Sequence, residues 1–202
     1  VRNDAAKLEV LNQFMYEEPD YSGGVEVLHL LSYLQDAIGL DQIQTKISQP
    51  LEGLRLAPYY GCMLMRPRKQ ALEEGRSFAG FSGLLEALGA QTPHFEAADY
   101  CCGSYQAVSN PAAARDAVAH IVSVANQAGA DALAIACPLC EFNLNAMQDA
   151  LLSAGRIQAK LPTFYFTQLM ALAMGLGQSW DELGLKPGAK RLLEGMSLSG
   201  AA

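Results

Sequence analysis

Along most of the chain, short unbroken apolar runs alternate with stretches in which apolar residues recur at helical spacing. The first 18 residues are mixed, with Leu8, Leu11 and Met15 placed to share one face of a weak helix. Residues 19–24 collect proline, glycine and serine and read as a break. Val27, Leu30, Leu31, Leu34 and Ile38 then follow a helical stripe that Gly39 can cap, and residues 41–47 read as a second short helix. From Leu54 the pattern becomes strand, helix, strand, helix. Strands are expected over 54–60, 93–99, 131–136 and 161–166. Pro58 marks the first as an edge or a strand end. The unbroken apolar run 131–136 suits a strand covered on both faces.

Between these strands, Phe78, Phe81, Leu85 and Leu88 trace a helix stopped by Gly89. Asn110-Pro111 supplies an N-cap and a first-turn proline for a helix whose buried stripe is Val118, Ile121, Val122 and Ala125, ending at Gly129. Pro138 opens a helix running to about residue 154, and residues 167–176 form another. Residues 180–195 read as short helical pieces before a disordered-looking tail. The implied fold class is α/β: a mostly parallel sheet of about four strands with helices on both faces. Residues 1–50 form a helical lead-in and residues 51–202 the α/β domain.

Composition narrows the function. Of the 202 residues half are hydrophobic, enough for a full-sized core. A net charge of −7 argues against nucleic-acid binding, which needs a basic face. No apolar run is long enough to span a bilayer; the longest candidate, residues 164–176, reads as a buried strand-to-helix unit. With no basic start and apolar h-region, the expected compartment is the cytoplasm, where thiols stay reduced unless they hold metal. The chain begins at Val1, and its first residues read as the tail of something longer.

The chemistry lies in five cysteines, Cys62, Cys101, Cys102, Cys137 and Cys140, carried by the stretches Tyr59-Tyr60-Gly61-Cys62, Tyr100-Cys101-Cys102-Gly103 and Cys137-Pro138-Leu139-Cys140. Three of the four expected strands run into them, and in a parallel sheet ligands collect beyond the carboxyl ends of the strands. A Cys-x-x-Cys alone serves a redox dithiol, half a zinc site or half a cluster site. Side chains on adjacent residues diverge, so Cys101 and Cys102 suit two metals or a polynuclear cluster better than one tetrahedral ion. Five thiolates also exceed the four positions of structural zinc. Soft thiolates without histidine or carboxylate companions favour iron–sulfur or zinc. Scattered buried thiols are the plainer reading. Gly61 and Gly103 allow close backbone approach, backbone N–H groups in those turns can bond sulfur, and the helix start at Pro138 favours negative charge.

Cys62, then Cys101-Cys102-Gly103, then Cys137-Pro138-Leu139-Cys140, resembles the cysteine-rich "CCG" domain of the heterodisulfide reductase B subunit. The flanks Pro58-Tyr59-Tyr60-Gly61-Cys62 with Arg66-Pro67, and Phe164-Tyr165-Phe166-Thr167-Gln168-Leu169, strengthen the likeness, which covers roughly residues 25–185. Related domains occur in glycolate oxidase, anaerobic glycerol-3-phosphate dehydrogenase, lactate-utilisation proteins and an unusual succinate dehydrogenase subunit. The resemblance implies a non-cubane [4Fe–4S] cluster bound through all five cysteines, with zinc as the alternative because some relatives use a repeat for zinc. It further implies disulfide or thiol chemistry in one-electron steps on a small thiol, disulfide or persulfide. The partners implied are the ferredoxin-like iron–sulfur subunit and the flavin-containing subunit of a heterodisulfide reductase-like complex. The family's B subunit carries two such repeats; this chain matches the second, and residues 1–20 resemble the end of the first. An electron relay in another dehydrogenase complex and a structural zinc docking domain are the competing readings.

Several neighbours are weighed against blander roles. Arg66, Arg68 and Lys69 hold an anionic substrate or lie on a solvated loop. Tyr59, Tyr60, Tyr100 and Tyr105 are walls, or one of them protonates a leaving thiolate. His29 is expected to pack, His120 to face solvent and His94 to sit at a strand start. Met63, Leu64 and Met65 are expected to pack.

Overall fold

The computed structural model describes residues 3–66, 79–176 and 179–195. Three parallel strands, β1 (Leu56–Tyr59), β2 (Ala132–Ile135) and β3 (Thr163–Tyr165), lie in the order β1-β2-β3 with helices around them. Leu56 stands opposite Ala132, Tyr59 opposite Ile135, and Leu133 opposite Thr163. The helices are α1 (Ala5–Phe14), α2 (Leu30–Ser32, running into a π-helical turn at Tyr33–Ile38), α3 (Leu40–Gln44), α4 (Ala79–Ala87), α5 (Pro111–Gln127), α6 (Pro138–Ser153), α7 (Phe166–Ala173) and α8 (Pro187–Gly195).

The sequence pattern holds best where burial decides it. All four residues of β2 are buried, as its apolar run requires. Val118, Ile121, Val122 and Ala125 of α5 are fully buried on one stripe. Asn110 caps α5 by accepting from the Ala113 N–H at 3.2 Å, with Pro111 in the first turn. Phe81, Leu85 and Leu88 are buried on and just after α4, while Phe78 lies outside the described residues. Each such side chain withdrawn from water contributes about 1.5–3 kcal/mol before entropy is counted.

Among the described residues the sheet has three strands, not four. Residues 93–99 do not form the expected strand. Arg55 and Gln91 make a single parallel bridge, with the Leu56 N–H donating to the Gln91 carbonyl at 2.8 Å. Pro93 then has no N–H to continue a ladder, and the chain folds into turns closed by Ala98 N–H to Phe95 O and Tyr100 N–H to Ala97 O. Cys101 and Cys102 therefore arrive on an irregular segment, while β1 and β2 lead to Cys62 and Cys137. Pro58 lies on β1, an edge strand that pairs with β2 alone among the named strands.

The lead-in also differs. Of the stripe Val27, Leu30, Leu31, Leu34 and Ile38, only Leu31 and Leu34 are buried. The helix starts at Leu30, where the His29 ring accepts from the Leu31 N–H, and the wider π-turn that follows carries Ile38 off the stripe. Gly39, with φ of 85°, does end that turn. Leu8 and Leu11 are half-buried and Met15 is exposed, so α1 buries no residue fully.

Candidate metal centre

All five thiols meet at the carboxyl end of the sheet. β1 passes through Tyr60 to Gly61, whose N–H donates to the Ala98 carbonyl at 2.9 Å, so the Cys62 loop is tied to the turn that precedes Cys101. Gly61 has φ of 61°, and a Cβ there would stand 3.4 Å from Cys140 Sγ and from the Tyr59 ring. The glycine brings backbone close to sulfur in a conformation other residues avoid. β2 leads to Cys137, which occupies the N-cap position of α6; Cys140 lies in that helix's first turn, at its electropositive end. Gly103, left-handed at φ 76°, turns the chain after Cys102 into a one-turn 3-10 helix at Ser104–Gln106.

Cys102 Sγ and Cys140 Sγ are 3.4 Å apart, too far for a disulfide, and all five cysteines are free. Two thiolates on one tetrahedral metal, with bonds of about 2.3 Å, stand about 3.8 Å apart, so this spacing is close to what a shared metal atom needs. Cys62 and Cys101 are close enough to influence each other's ionisation, as are Cys137 and Cys140. The Gly103 N–H donates to Cys101 Sγ at 3.4 Å. Cys102 and Cys140 are buried, whereas Cys62, Cys101 and Cys137 are half-buried.

The electrostatics are those of a crowded anionic donor set. The hydrogen bond shared with Cys140 holds the Cys102 thiol below its ordinary range against the cost of burial, helped by the Ser104 N–H and hydroxyl and the Asn143 amide. Cys140 is pushed up in turn by the bond shared with Cys102, with burial adding to the effect. Burial, and then the bond to Cys101, push the Cys62 thiol up to about 11. Tyr59 is raised by burial and by the four cysteines Cys140, Cys102, Cys101 and Cys62; Tyr165 is raised by burial and then by Cys137 and Cys140. A cationic core is the chemistry that offsets such mutual repulsion. The donor set fits an iron–sulfur group: five thiols from three loops, with backbone N–H and glycine beside them. Among the described residues, no three Cys, His, Asp or Glu side chains form a ready-made single-ion site.

The tyrosines divide by burial. The Tyr59 hydroxyl donates to the Tyr100 carbonyl at 2.6 Å, the Tyr165 hydroxyl to the Ala136 carbonyl at 2.5 Å, and the Tyr60 hydroxyl accepts from the Phe81 N–H at 2.9 Å. These bonds brace the strand ends. Tyr100 and Tyr105 are exposed and, with Arg66, Cys101, Gly103 and Asp116, line an open cleft of about 500 Å³. Arg66 is exposed at its wall, while Arg68 and Lys69 lie outside the described residues. His120 is exposed, as its position on α5 predicts, with its ring 4.8 Å from that of Tyr100. His94 is exposed. His29 is exposed too, rather than packed, because its ring serves as a helix cap. Leu64 and Met65 pack, but Met63 is exposed, with the Tyr105 hydroxyl 4.0 Å from its sulfur.

Sequence reasoning missed Asn143 and Ser104. Asn143 is 1% exposed and its amide donates to the Cys102 carbonyl at 2.6 Å. Its spacing was the available signal: three residues after Cys140 on a helix puts both on one face.

Comparison with known proteins agrees with this geometry. The cysteine-rich domain (CCG) family matches residues 56–145. Over 178 residues the chain is 31% identical to the B subunit of a ferredoxin/F420H2-dependent CoB-CoM heterodisulfide reductase of Methanosarcina acetivorans, covering 87% of this chain and 58% of the relative. Over 184 residues it is 29% identical to an 8-methylmenaquinol:fumarate reductase membrane anchor subunit of Wolinella succinogenes, covering 90% of this chain and 63% of the relative. A protein of Archaeoglobus profundus that is like the heterodisulfide reductase B subunit is 24% identical over 160 residues, covering 77% of this chain and 54% of the relative. The chain thus spans about three-fifths of the length of these relatives. Among the described residues no helix is long and apolar enough to cross a membrane. The match to the cysteine-rich CCG domain family thus takes in all five cysteines, and the chain around it is similar to the B subunit of heterodisulfide reductase.

Proposed function

We propose that this chain is an iron–sulfur subunit of a heterodisulfide reductase-like complex, holding one non-cubane [4Fe–4S] cluster through Cys62, Cys101, Cys102, Cys137 and Cys140. The supporting observation is the meeting of five thiols from three loops, with Cys101 in the wall of an open cleft. When bound, the cluster would take up and release single electrons beside that cleft. The chain's own contribution is placement. The ends of β1 and β2, the first turn of α6 and the irregular segment through Cys101 and Cys102 deliver the sulfurs, and the buried rings of Tyr59 and Tyr60 exclude water beside the Cys62 turn. Among the described residues, Arg66 in the cleft wall offers a cation to an anionic disulfide or thiol. Tyr59 is committed to a backbone carbonyl, so the candidates for giving a proton to a leaving thiolate are Tyr100 and Tyr105.

The same reading assigns residues 1–50 as a lead-in and 51–202 as the cluster-binding domain. It places the protein in the cytoplasm, with a ferredoxin-like iron–sulfur subunit and a flavin subunit as partners and a small thiol, disulfide or persulfide as substrate. The cleft favours this over a pure electron relay, which needs no opening wide enough for a thiol.

The test is anaerobic purification with iron, sulfide and zinc analysis and EPR. A brown protein with iron and acid-labile sulfide is expected. Cys102→Ala loses or converts the cluster, while His120→Ala leaves the absorbance unchanged. A colourless zinc protein without sulfide, or Cys102→Ala with the full cluster spectrum, overturns the assignment.

A further inference from the structure

Two phenols grip the backbone immediately before two of the cysteines. Tyr59, the last residue of β1, is 1% exposed, and its hydroxyl donates to the Tyr100 carbonyl at 2.6 Å. Tyr165, the last residue of β3, donates its hydroxyl to the Ala136 carbonyl at 2.5 Å. Cys101 follows Tyr100 and Cys137 follows Ala136. A peptide unit is planar, so holding its oxygen also constrains the N–H and Cα of the next residue. Each phenol therefore fixes the point from which a thiol projects.

Both stand where backbone pairing gives out. Residues 93–99 form no strand, and the approach to Cys101 is tied to the Cys62 loop by the Gly61 N–H on the Ala98 carbonyl at 2.9 Å. Tyr59 adds a second tie between the same two segments, two residues further on. β2 pairs with β3 as far as Ile135 opposite Tyr165, whose N–H then turns to Gln168 Oε1 at 2.8 Å as α7 begins. The Tyr165 side chain reaches Ala136, one residue past the end of β2.

We propose that Tyr59 and Tyr165 are positioning residues for the metal group: their hydroxyls fix the peptides that carry Cys101 and Cys137, so that both thiols stay in place to hold iron. The inference rests on the cluster reading above. Groups that hydrogen-bond and orient metal ligands typically account for about 10–100-fold in metal affinity. A brace that served only the fold would act through stability, and any equally destabilising change elsewhere would match it.

The experiment compares anaerobically purified full chains, with iron and sulfide measured on each. The readouts are EPR g-values and the rate of iron release to a ferrous chelator, and urea melts rank the stabilities. Tyr59→Phe and Tyr165→Phe each keep the ring and remove one hydroxyl. Both should load, show shifted g-values and release iron about tenfold faster or more. Asp131→Asn loosens the opposite ends of β1 and β2, where Asp131 binds Arg55, and should keep the wild-type release rate and g-values. Tyrosine variants with wild-type release and g-values overturn the proposal, as does Asp131→Asn reproducing their effect. Tyr165 is half-buried, so Tyr165→Phe decides the outcome should Tyr59→Phe fail to fold. A wild-type protein with zinc and no sulfide overturns the cluster reading alone, and the same chelator comparison then tests the two hydroxyls on zinc. A wild-type protein without metal overturns both.

Discussion

Gly103 is the residue at which local backbone and site geometry meet, and replacing it with alanine tests both. Its φ of 76° is left-handed, and a Cβ would stand 3.0 Å from the Ala114 Cα of α5. The left-handed conformation costs a non-glycine residue about 1–2 kcal/mol, reduced by about 0.4–1 kcal/mol because alanine also restricts the unfolded chain. Backbone at 3.0 Å cannot swing aside as a flexible side chain can, so the turn must lift from α5 at an overpacking cost of about 1–3 kcal/mol. The sum is roughly 1–5 kcal/mol, and for a chain of this length each kcal/mol lowers Tm by about 2–4 °C. Gly155 isolates the first part: it is also left-handed, at φ 66°, and a Cβ there meets nothing within 4 Å. Thermal and urea melts of wild type, Gly103→Ala and Gly155→Ala, followed by circular dichroism, separate the contributions. Gly103→Ala should exceed Gly155→Ala by about 1 kcal/mol or more. Equal losses from the two variants would refute the claim that close approach of the turn to α5 is what demands glycine.

Two further predictions concern the frame around the site. Asp131 accepts from Arg55 N at 2.9 Å, Nε at 3.2 Å and Nη2 at 2.8 Å, joining the starts of β1 and β2. Burial opposes its ionisation, but the bonds and charge of Arg55 outweigh burial and hold the carboxyl below its usual range. A lowered folded-state pKa stabilises above the unfolded value, near 3.9, and that stability disappears as pH falls through the folded value. Asp131→Asn should therefore lower Tm at pH 7 and flatten the fall in Tm below about pH 4, read by calorimetry from pH 7 to pH 2. A variant whose Tm falls with acid as steeply as the wild type's contradicts the linkage. Tyr59→Phe removes the 2.6 Å bond from a buried hydroxyl to the Tyr100 carbonyl and should lower unfolding free energy by about 1–2 kcal/mol in urea titrations. A loss below about 0.5 kcal/mol would mean that solvent satisfies that carbonyl equally well.

The amino-acid pattern by itself carried the parts of this protein that rest on local rules. Unbroken apolar residues made β2, Asn110-Pro111 began α5, Pro138 began α6, and glycines closed helices, because caps, propensities and one-sided burial act over a few residues. The five cysteines were legible as one set through their spacing and their place beyond apolar runs. What the pattern could not decide was pairing. Residues 93–99 look like a strand until the bridge at Gln91 and the missing N–H of Pro93 leave them no ladder to join, and the stripe from Val27 to Ile38 breaks because the helix starts only at Leu30 and a π-turn then carries Ile38 out of phase. Asn143 reads as an ordinary helical residue, and Tyr59 as one of several tyrosines. Only tertiary packing sets the asparagine amide against a carbonyl forty-one residues away in sequence and closes the phenol over the sulfurs. Hydrogen bonds between distant segments depend on where the sheet and helices bring them, and nothing periodic in the chain encodes that placement.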